Sequence, residues 1–190
     1  MKTLSKVIKI AFIGASGSGK TTCGKLVGKM VKREFPKYEV IRLNVALPLH
    51  RAQAYIYRLF GLKNAGQDGG LLQFLAIRFE ARLGPTFVNN LEKKLAKSSR
   101  QKRVVINTDC RNNAYDYLKR AGFIFIRVKT RSVVVAERLG VRGDLTPADP
   151  RHSVEQISRI KSSFVVENNG SLAVLEGRLL KVIQRIVRPQ

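Results

Sequence analysis

Short apolar runs rich in Val and Ile alternate along the chain with longer stretches whose apolar positions recur at helical spacing. The first run, 7–13, is followed directly by Gly14, as is typical of a strand buried inside a parallel sheet. Similar runs recur later in the chain. The pattern therefore predicts five strands, at 7–13, 39–43, 104–106, 123–128 and 164–166.

The segments between these strands carry helical patterns. In the first of them, Cys23, Leu26, Val27 and Met30 recur at the spacing of one helix face. A stretch rich in Gly, Asn and Asp at 63–70 predicts a loop, and Gly84-Pro85 predicts a break between two helices. The predicted helices are 20–31, 49–60, 71–83, 87–96, 113–121 and 133–139, with a final helix capped by Ser171 that ends near Val187.

This order of elements predicts an α/β fold, a doubly wound five-stranded parallel sheet with helices on both faces. The length of 190 residues and the 44% of apolar residues fit a single domain over 1–190. In open parallel sheets, ligands bind at the carboxyl ends of the strands. We therefore look for functional residues directly after each predicted strand.

Composition excludes two classes of protein. No apolar run reaches the roughly 20 residues that cross a bilayer, so we expect no membrane partner. The two cysteines, Cys23 and Cys110, form no CxxC pair, and with His50 and His152 as the only histidines a structural zinc site is not expected. We expect reduced thiols and a cytoplasmic location.

The charge is strongly positive, at +23 with 36 Lys and Arg against 13 Asp and Glu. The excess is spread over the folded body, with net charges of +10, +9 and +4 in residues 1–60, 61–130 and 131–190. A polyanionic partner such as nucleic acid, an anionic substrate, or both would suit this charge. The even spread favours a positive face or cleft over a basic tail.

The strongest motif is 14–21, which matches G-x-x-x-x-G-K-[ST] between the first strand and the first helix. Glycines let backbone N–H groups point at phosphate oxygens, Lys20 reaches the β- and γ-phosphates, and Thr21 can bind Mg²⁺. Thr22 follows as a possible contact to the α-phosphate. The predicted ATP-binding residues here are Ala15, Ser16, Gly17, Ser18, Gly19, Lys20, Thr21 and Thr22.

A second candidate group follows the third strand. Asp109 could hold Mg²⁺ through water or accept the acceptor's proton, and Arg111 could bind an acceptor phosphate. The alternative is that Asp109 caps the helix that begins near Asn113, since Asp is common at such positions.

Two pairs of arginines repeat a spacing of four residues. Arg138 and Arg142, with Arg131 before them, could form a phosphate-binding lid, and Arg78 with Arg82 could bind an acceptor phosphate. Like charges on one helix face are unfavourable unless an anion lies between them. The alternative for both pairs is a solvated basic surface.

Together these motifs resemble the nucleoside monophosphate kinase superfamily, specifically its branch of phage-type deoxynucleoside monophosphate kinases, dephospho-coenzyme A kinase and animal-type phosphomevalonate kinase. The resemblance covers nearly the whole chain. Residues 46–50 are similar to the family's Pro-Leu-Lys motif, 72–84 to its Leu-Gln…Arg…Gly pattern, and 109–111 to its Asp-x-Arg motif. Residues 164–170 are similar to the segment whose backbone packs beside the adenine of ATP.

The resemblance implies a P-loop kinase with an acceptor-binding helical insertion at about 47–98 and a short helical lid at about 130–155. It implies that Lys20, Asp109, Arg138 and Arg142 are catalytic, that Arg138, Asn169 and Gly170 also contact ATP, and that Thr21 and, through water, Asp109 hold the metal. The implied acceptor-binding residues are Asn44, Arg78, Arg82, Asp109, Arg111 and Arg131.

The chain departs from the phage-type pattern on the acceptor side. Leu47 stands where that pattern usually has an acidic residue, and His50 replaces its lysine. Asn44 is a candidate for a compensating polar contact. The family's Ser-Glu element near the lid has its counterpart in 152–155, where His152 and Glu155 could contribute to the site.

The sequence thus predicts a kinase that uses ATP and Mg²⁺ to phosphorylate a small phosphorylated acceptor, most simply a nucleoside or deoxynucleoside monophosphate. Two alternatives stay open. The charge favours a nucleic-acid-binding ATPase or a polynucleotide kinase, and the resemblance also allows a non-nucleotide acceptor such as dephospho-coenzyme A or phosphomevalonate. The oligomeric state is not predicted.

Overall fold

A computed structural model describes residues 6–63, 66–97, 102–142, 157 and 160–188. It contains one sheet in which every neighbouring pair of strands is parallel, in the order β2-β3-β1-β4-β5. The strands are β1 (Lys6–Ile13), β2 (Tyr38–Arg42), β3 (Lys102–Asn107), β4 (Ile124–Lys129) and β5 (Phe164–Glu167). The predicted α/β fold with a five-stranded parallel sheet is confirmed.

Seven helices lie within the described residues. They are α1 (Lys20–Glu34), α2 (Leu47–Leu59), α3 (Gly69–Arg78), α4 (Glu80–Lys97), α5 (Asn112–Arg120), α6 (Ser132–Arg142) and α7 (Leu172–Val187). None of the helices in this part of the chain is both long and apolar enough to cross a membrane.

The helices cover both faces of the sheet. On one face, α1 and α7 pack through residues such as Val27, Val31 and Leu179 against the apolar side chains of the strands. On the other face, α2 to α5 form a second core that includes Phe87 and Leu118. The sheet is buried on both sides, which explains why its strands read as nearly continuous apolar runs.

The predicted helix break at Gly84-Pro85 is wrong. The helices part at Phe79, and α4 runs through Pro85. Glu80 lies in the first turn of α4, where a carboxylate favours the start of a helix. Gly84 instead allows close packing, because a Cβ atom there would lie 2.3 Å from Cδ2 of Tyr117 in α5.

We expect Gly84→Ala to lower the free energy of unfolding by about 1 to 3 kcal/mol, because the new methyl group would overpack against the Tyr117 ring. Gly177→Ala is the matched control, since a Cβ at this position in α7 would meet nothing within 4 Å. There the helix propensity of Ala should stabilise the protein by up to about 1 kcal/mol. Urea unfolding of both variants measures the difference, and equal stability would contradict the packing.

The loop predicted at 63–70 ends earlier in the structure than the sequence indicates. Residues 64 and 65 lie outside the described part of the chain, and α3 already begins at Gly69. Asp68 caps this helix by accepting a hydrogen bond from the N–H of Leu71 at 2.9 Å. The two glycines that suggested a loop therefore form the first turn of a capped helix.

Candidate functional site

The loop between β1 and α1 has the backbone of a phosphate-binding turn. Gly17 and Gly19 have φ angles of 77° and 93°, a region that favours glycine. A Cβ at Gly19 would lie 2.2 Å from Nδ2 of Asn168, so both conformation and space require glycine there. The loop leads into the N-terminus of α1, where N–H groups and the helix dipole favour an anion.

Lys20 folds over this loop. Its Nζ donates to the carbonyl oxygens of Gly14 at 2.8 Å and Ala15 at 2.7 Å, and its residue exposure is 9%. A charged ammonium group is thus held inside the turn by backbone oxygens. Thr21 is exposed at the start of α1 and Thr22 is half-buried beside it.

Two strand ends outside the motif hold the loop in place. The carbonyl oxygen of Ser18 accepts hydrogen bonds from Oγ1 of Thr130 at 3.0 Å, after β4, and from Nδ2 of Asn168 at 2.8 Å, after β5. The backbone N–H of Asn168 donates to the Lys129 carbonyl oxygen at 2.8 Å. Asn168 therefore positions the loop, although it lies outside the motif. The sequence feature that indicates such a residue is a polar side chain directly after an apolar strand.

Arg138 on α6 reaches the same place. Its Nη2 donates to the carbonyl oxygen of Asn168 at 3.4 Å, and a Cβ at Gly19 would lie 3.7 Å from its Nη1. Among the described residues, Nη1 of Arg138 and Oγ of Ser18 are both buried without a hydrogen-bond partner. Unpaired buried polar atoms are costly unless a ligand or a water supplies the missing hydrogen bonds.

The helix that carries Arg138 packs directly on the loop. A Cβ at Gly17 would lie 3.1 Å from Cγ of Leu139 and 3.2 Å from Cγ1 of Val135. The structure thus places the predicted lid residue Arg138 against the phosphate-binding loop. The α6 helix includes Arg142, whose side chain lies outside the described part of the structure.

The segment after β5 lies against the start of α6. The backbone N–H of Arg131 donates to Oδ1 of Asn169 at 2.8 Å, and the Arg131 side chain is exposed. Gly170 follows in the turn before Ser171, which caps α7 through the N–H of Val174 at 3.4 Å. This arrangement places the predicted adenine-side residues next to the lid helix.

Asp109 is hydrogen-bonded to the backbone that leads into α2. It accepts the backbone N–H groups of Val45 at 2.9 Å and Ala46 at 2.8 Å, directly before α2, and Nδ2 of Asn107 at 2.6 Å. Arg111 occupies the N-cap position of α5, so the alternative that Asp109 caps that helix is wrong. Asp109 instead joins the end of β3 to the start of α2.

Burial raises the pKa of Asp109 and is the largest influence on it. The hydrogen bonds from the N–H groups of Ala46 and Val45 and from the amide of Asn107 lower this pKa, but by less. The carboxylate lies at the carboxyl end of β3, the strand next to β1. Its position is compatible with a contact to a metal through water, and the backbone hydrogen bonds restrict its movement.

Two of the residues predicted to bind the acceptor, Asn44 and Arg111, follow β2 and β3. Oγ1 of Thr108 lies 3.5 Å from Oδ1 of the exposed Asn44, and a Cβ at Gly24 of α1 would lie 2.4 Å from Cγ2 of Thr108. Asn44 therefore lies beside the phosphate-binding helix. Arg111 is half-buried two residues after Asp109.

The expectation that Arg78 and Arg82 share one helix face is wrong. Arg78 is the last residue of α3 and Arg82 belongs to α4, so the break at Phe79 separates them. Both arginines are exposed. His152 and Glu155 lie outside the described residues, as does most of the predicted lid beyond 142.

The donors present suit a metal that arrives with a nucleotide. In the described residues no three His, Cys, Asp or Glu side chains are grouped so as to hold an ion by themselves. Mg²⁺ is usually held by one or two protein oxygens together with substrate phosphates. The hydroxyl of Thr21 and, through water, the carboxylate of Asp109 fit that requirement.

Both cysteines are buried, Cys23 in the core beside α1 and α7 and Cys110 in the core beside α2 to α5. Burial raises the pKa of Cys23 to about 11 and that of Cys110 to about 12, so less than about 1% of either is thiolate at pH 8. We expect iodoacetamide to label neither thiol in the folded protein at pH 8 and both in denaturant. Mass spectrometry reads the result, and rapid labelling of the native protein would contradict the burial of these thiols.

Comparison with solved structures identifies the fold of the chain. No protein-family model and no curated protein sequence matches the chain. Among solved structures, shikimate kinase from Acinetobacter baumannii in complex with shikimate has a TM-score of 0.53 and 16% identity, covering 98% of this chain and 97% of that one. APS kinase from Mycobacterium tuberculosis, in complex with AMPPNP and APS, has a TM-score of 0.52 and 15% identity over 94% and 96% of the two chains.

Thymidylate kinase from Ehrlichia chaffeensis has a TM-score of 0.50 and 17% identity, covering 94% of this chain and all of that one (100%). The chain has the fold of the P-loop kinases. This fold accounts for the position of the loop between β1 and α1. At such identities the similarity is one of fold.

Proposed function

We propose that the protein is a Mg²⁺-dependent kinase that transfers the γ-phosphoryl group of ATP to a small phosphorylated acceptor, a nucleoside or deoxynucleoside monophosphate. One observation carries the proposal. Within the described part of the chain, Nη1 of Arg138 and Oγ of Ser18 are buried without hydrogen-bond partners, beside a glycine turn that contains the ammonium group of Lys20. These groups are suited to a polyphosphate.

The nucleotide side of the proposed site would use three segments of the chain, namely 14–21, Asp109 after β3 and 169–170 after β5. The loop at 14–19 would bind the phosphates through its N–H groups, with Lys20 exchanging the Gly14 and Ala15 carbonyl oxygens for phosphate oxygens. Asn169 and Gly170 lie beside α6, where they could contact the base. Thr21 and Asp109 would hold Mg²⁺, which neutralises charge on the phosphates when bound.

Catalysis by these residues is positional and electrostatic. Phosphoryl transfer has a loose transition state, so the protein aligns the two oxygens and stabilises the charge between them. The ammonium of Lys20 and the guanidinium of Arg138 lie at the loop, and Lys20 would change its partners there from two carbonyl oxygens to phosphate oxygens. Arg142, on the same helix as Arg138, is proposed to act with it.

The acceptor would lie between the ends of β2 and β3 and the helices α2 to α4. Asp109 fixes the start of α2 there through Val45 and Ala46. We assign the acceptor phosphate to Arg111 with Arg78, Arg82 and Arg131, and the polar contact at the end of β2 to Asn44. The similar structures named for shikimate, APS and thymidylate are consistent with a small acceptor.

A coupled assay of ADP release tests the proposal. Purified protein with MgATP is given each nucleoside and deoxynucleoside monophosphate in turn, then dephospho-coenzyme A, phosphomevalonate and a 5′-hydroxyl oligonucleotide. We expect one monophosphate to give a kcat/KM at least about tenfold above the rest, which corresponds to about 1.4 kcal/mol of discrimination. ADP release with dephospho-coenzyme A, phosphomevalonate or the oligonucleotide alone would overturn the proposed acceptor.

Arg138 is expected to affect the reaction more than nucleotide binding. We predict that Arg138→Met lowers kcat by about 10- to 100-fold with less than about threefold change in the KM for ATP, because charge on the transferred group is greatest in the transition state. Arg185→Met removes an exposed arginine from α7 and serves as the control. A raised KM with unchanged kcat would show that Arg138 contributes to binding alone.

A further inference from the structure

The strand ends opposite the phosphate-binding loop carry basic side chains that the proposed reaction does not use. Lys6 opens β1 and Lys102 opens β3, and the two residues are register partners on neighbouring strands. Nζ of Lys6 donates to the Val187 carbonyl oxygen at 3.2 Å, at the end of α7. Nζ of Lys9 donates to the Ala121 carbonyl oxygen at 2.7 Å, directly after α5. Lys6 and Lys9 therefore reach helix ends on opposite faces of the sheet, at the end of the sheet where the strands begin.

Two aromatic rings extend this surface towards β2. The guanidinium carbon of Arg188 lies 5.2 Å from the ring centroid of Phe35, and Nζ of Lys102 lies 6.0 Å from that of Tyr38. The two rings pack edge to face at 6.4 Å. We call the resulting surface the distal basic face, which consists of Lys6, Lys9, Lys37, Lys102, Arg120 and Arg188.

The charge of this face is not neutralised within the protein. In the part of the chain that the structure describes, none of the six residues forms an ion pair with a carboxylate, and all except Lys9 are exposed. The helix dipole favours cations such as Arg120 at the end of α5. It also accounts for Lys6, whose Nζ donates to the Val187 carbonyl oxygen at the end of α7, but not for Lys102 beside it, because like charges on neighbouring strands repel each other.

The arrangement suits a long anion better than a small one. Neighbouring strands lie about 4.8 Å apart, so the starts of β2, β3, β1 and β4 spread these charges over about 14 Å. Four of the six residues are lysines, which bind phosphates as point charges. A polynucleotide offers closely spaced phosphates along its whole length.

The aromatic rings limit what such a surface can recognise. Phe35 and Tyr38 are 7% and 8% exposed, so neither ring can stack on an unpaired base. Contacts would go to the phosphates and carry no sequence information. A membrane is disfavoured, because the exposed large apolar side chains lie on or beside α2 and α3, on α6 and β5, and at the start of α7.

We propose that the distal basic face binds the phosphate backbone of a double-stranded polynucleotide without regard to sequence. The face lies at the opposite end of β1 from the phosphate-binding loop, about 23 Å away along seven residues of strand. Binding there does not depend on the proposed kinase activity. Six of the basic residues that the reaction leaves unused are assigned to this partner.

Fluorescence anisotropy with a labelled 20-base-pair DNA, an RNA duplex of the same sequence and the single strands tests the proposal. We expect both duplexes to bind, with a slope of log K against log salt between about −3 and −5. Scrambling the sequence should change the affinity less than about twofold. Lys6→Gln/Lys37→Gln/Lys102→Gln should weaken duplex binding at least about tenfold and make the slope shallower by about 2 to 3.

Three matched proteins separate the possible outcomes. Lys25→Gln/Lys29→Gln/Lys93→Gln removes the same charge from exposed positions on α1 and α4 and should weaken binding less than about threefold. The triple Arg variant at positions 6, 37 and 102 keeps the charge and should bind like the unmodified protein. Lys20→Ala should also bind normally, whatever its kinase activity.

Several results would overturn the assignment. Equal weakening by the two Gln triples would show that the charge acts diffusely. Absence of duplex binding at 0.1 M salt, with binding to vesicles that contain about 30% phosphatidylserine, would indicate a membrane partner. Thermal melting of each variant confirms that the protein is folded. Phosphoryl transfer is compared in the unmodified protein and the two Gln triples, and loss of transfer in the distal triple would contradict the separation of the two surfaces.

Discussion

Replacing Lys20 with alanine is expected to lower kcat for phosphoryl transfer by about 10²- to 10³-fold, the cost of removing one charged group that stabilises the transition state. The ammonium group is held 2.7 to 2.8 Å from two carbonyl oxygens of the loop, so it is already positioned where phosphates would bind. The coupled assay of ADP release with the preferred acceptor measures the change.

Lys25→Ala provides the comparison for this substitution. Lys25 lies on the same helix but is exposed, and we expect its removal to change kcat less than about twofold. Lys20→Arg keeps the charge but changes the geometry of the donors, and it should restore little of the activity. Turnover that is unchanged in Lys20→Ala would exclude the proposed role of the loop.

Asp109→Ala is expected to lower the free energy of unfolding by about 3 kcal/mol. The carboxylate accepts two backbone N–H groups and the Asn107 amide, and its removal leaves these donors buried without a partner. Asp109→Asn keeps one acceptor oxygen and should cost about half as much. Urea unfolding at fixed pH measures both, and Asp116→Asn, an exposed carboxylate on α5, is the control.

The pH dependence of the free energy of unfolding gives a second test of the burial of Asp109. Because burial raises the pKa of Asp109 above 3.8, the folded state binds a proton more readily than the unfolded state does. Its contribution to stability is therefore fully present below pH 3.8 and is lost as the pH rises through the folded pKa. The difference in free energy of unfolding between the unmodified protein and Asp109→Asn should therefore become smaller as the pH rises from 3.8 through the folded pKa of Asp109. A gap that widens would contradict the burial of this carboxylate.

If Asp109 also helps to hold the metal, its removal should affect the dependence on Mg²⁺. We expect Asp109→Asn to raise the Mg²⁺ concentration needed for half-maximal activity, measured at saturating ATP. A variant that is less stable but keeps the original Mg²⁺ dependence would leave Asp109 with its structural role between β3 and α2.

The strands and their order in sequence could be predicted because a sheet covered on both faces requires continuous apolar runs. Helix boundaries were less predictable. The pair Gly84-Pro85 looks like a local break, yet its environment is set by Tyr117 on another helix. The actual break at Phe79 contains no breaker residue, so no local pattern indicates it.

In the candidate site, too, only the features that depend on residues close in sequence could be predicted. The loop at 14–21 forms from neighbouring residues, and its motif predicts its conformation. Asn168 holds Ser18 only because β4 lies between β1 and β5, an order that the sequence does not state. The spacing of Arg78 and Arg82 indicates a shared face only if the helix is unbroken, and it is not.

The most direct test of the central proposal follows the phosphoryl group itself. The protein is incubated with ATP labelled at the γ-phosphate, Mg²⁺ and the acceptor selected by the ADP-release assay, and the products are separated by chromatography. We expect the label to appear on the acceptor in amounts equal to the ADP formed. Label that appears only in inorganic phosphate, at a rate that the acceptor does not change, would show an ATPase and contradict the proposed kinase.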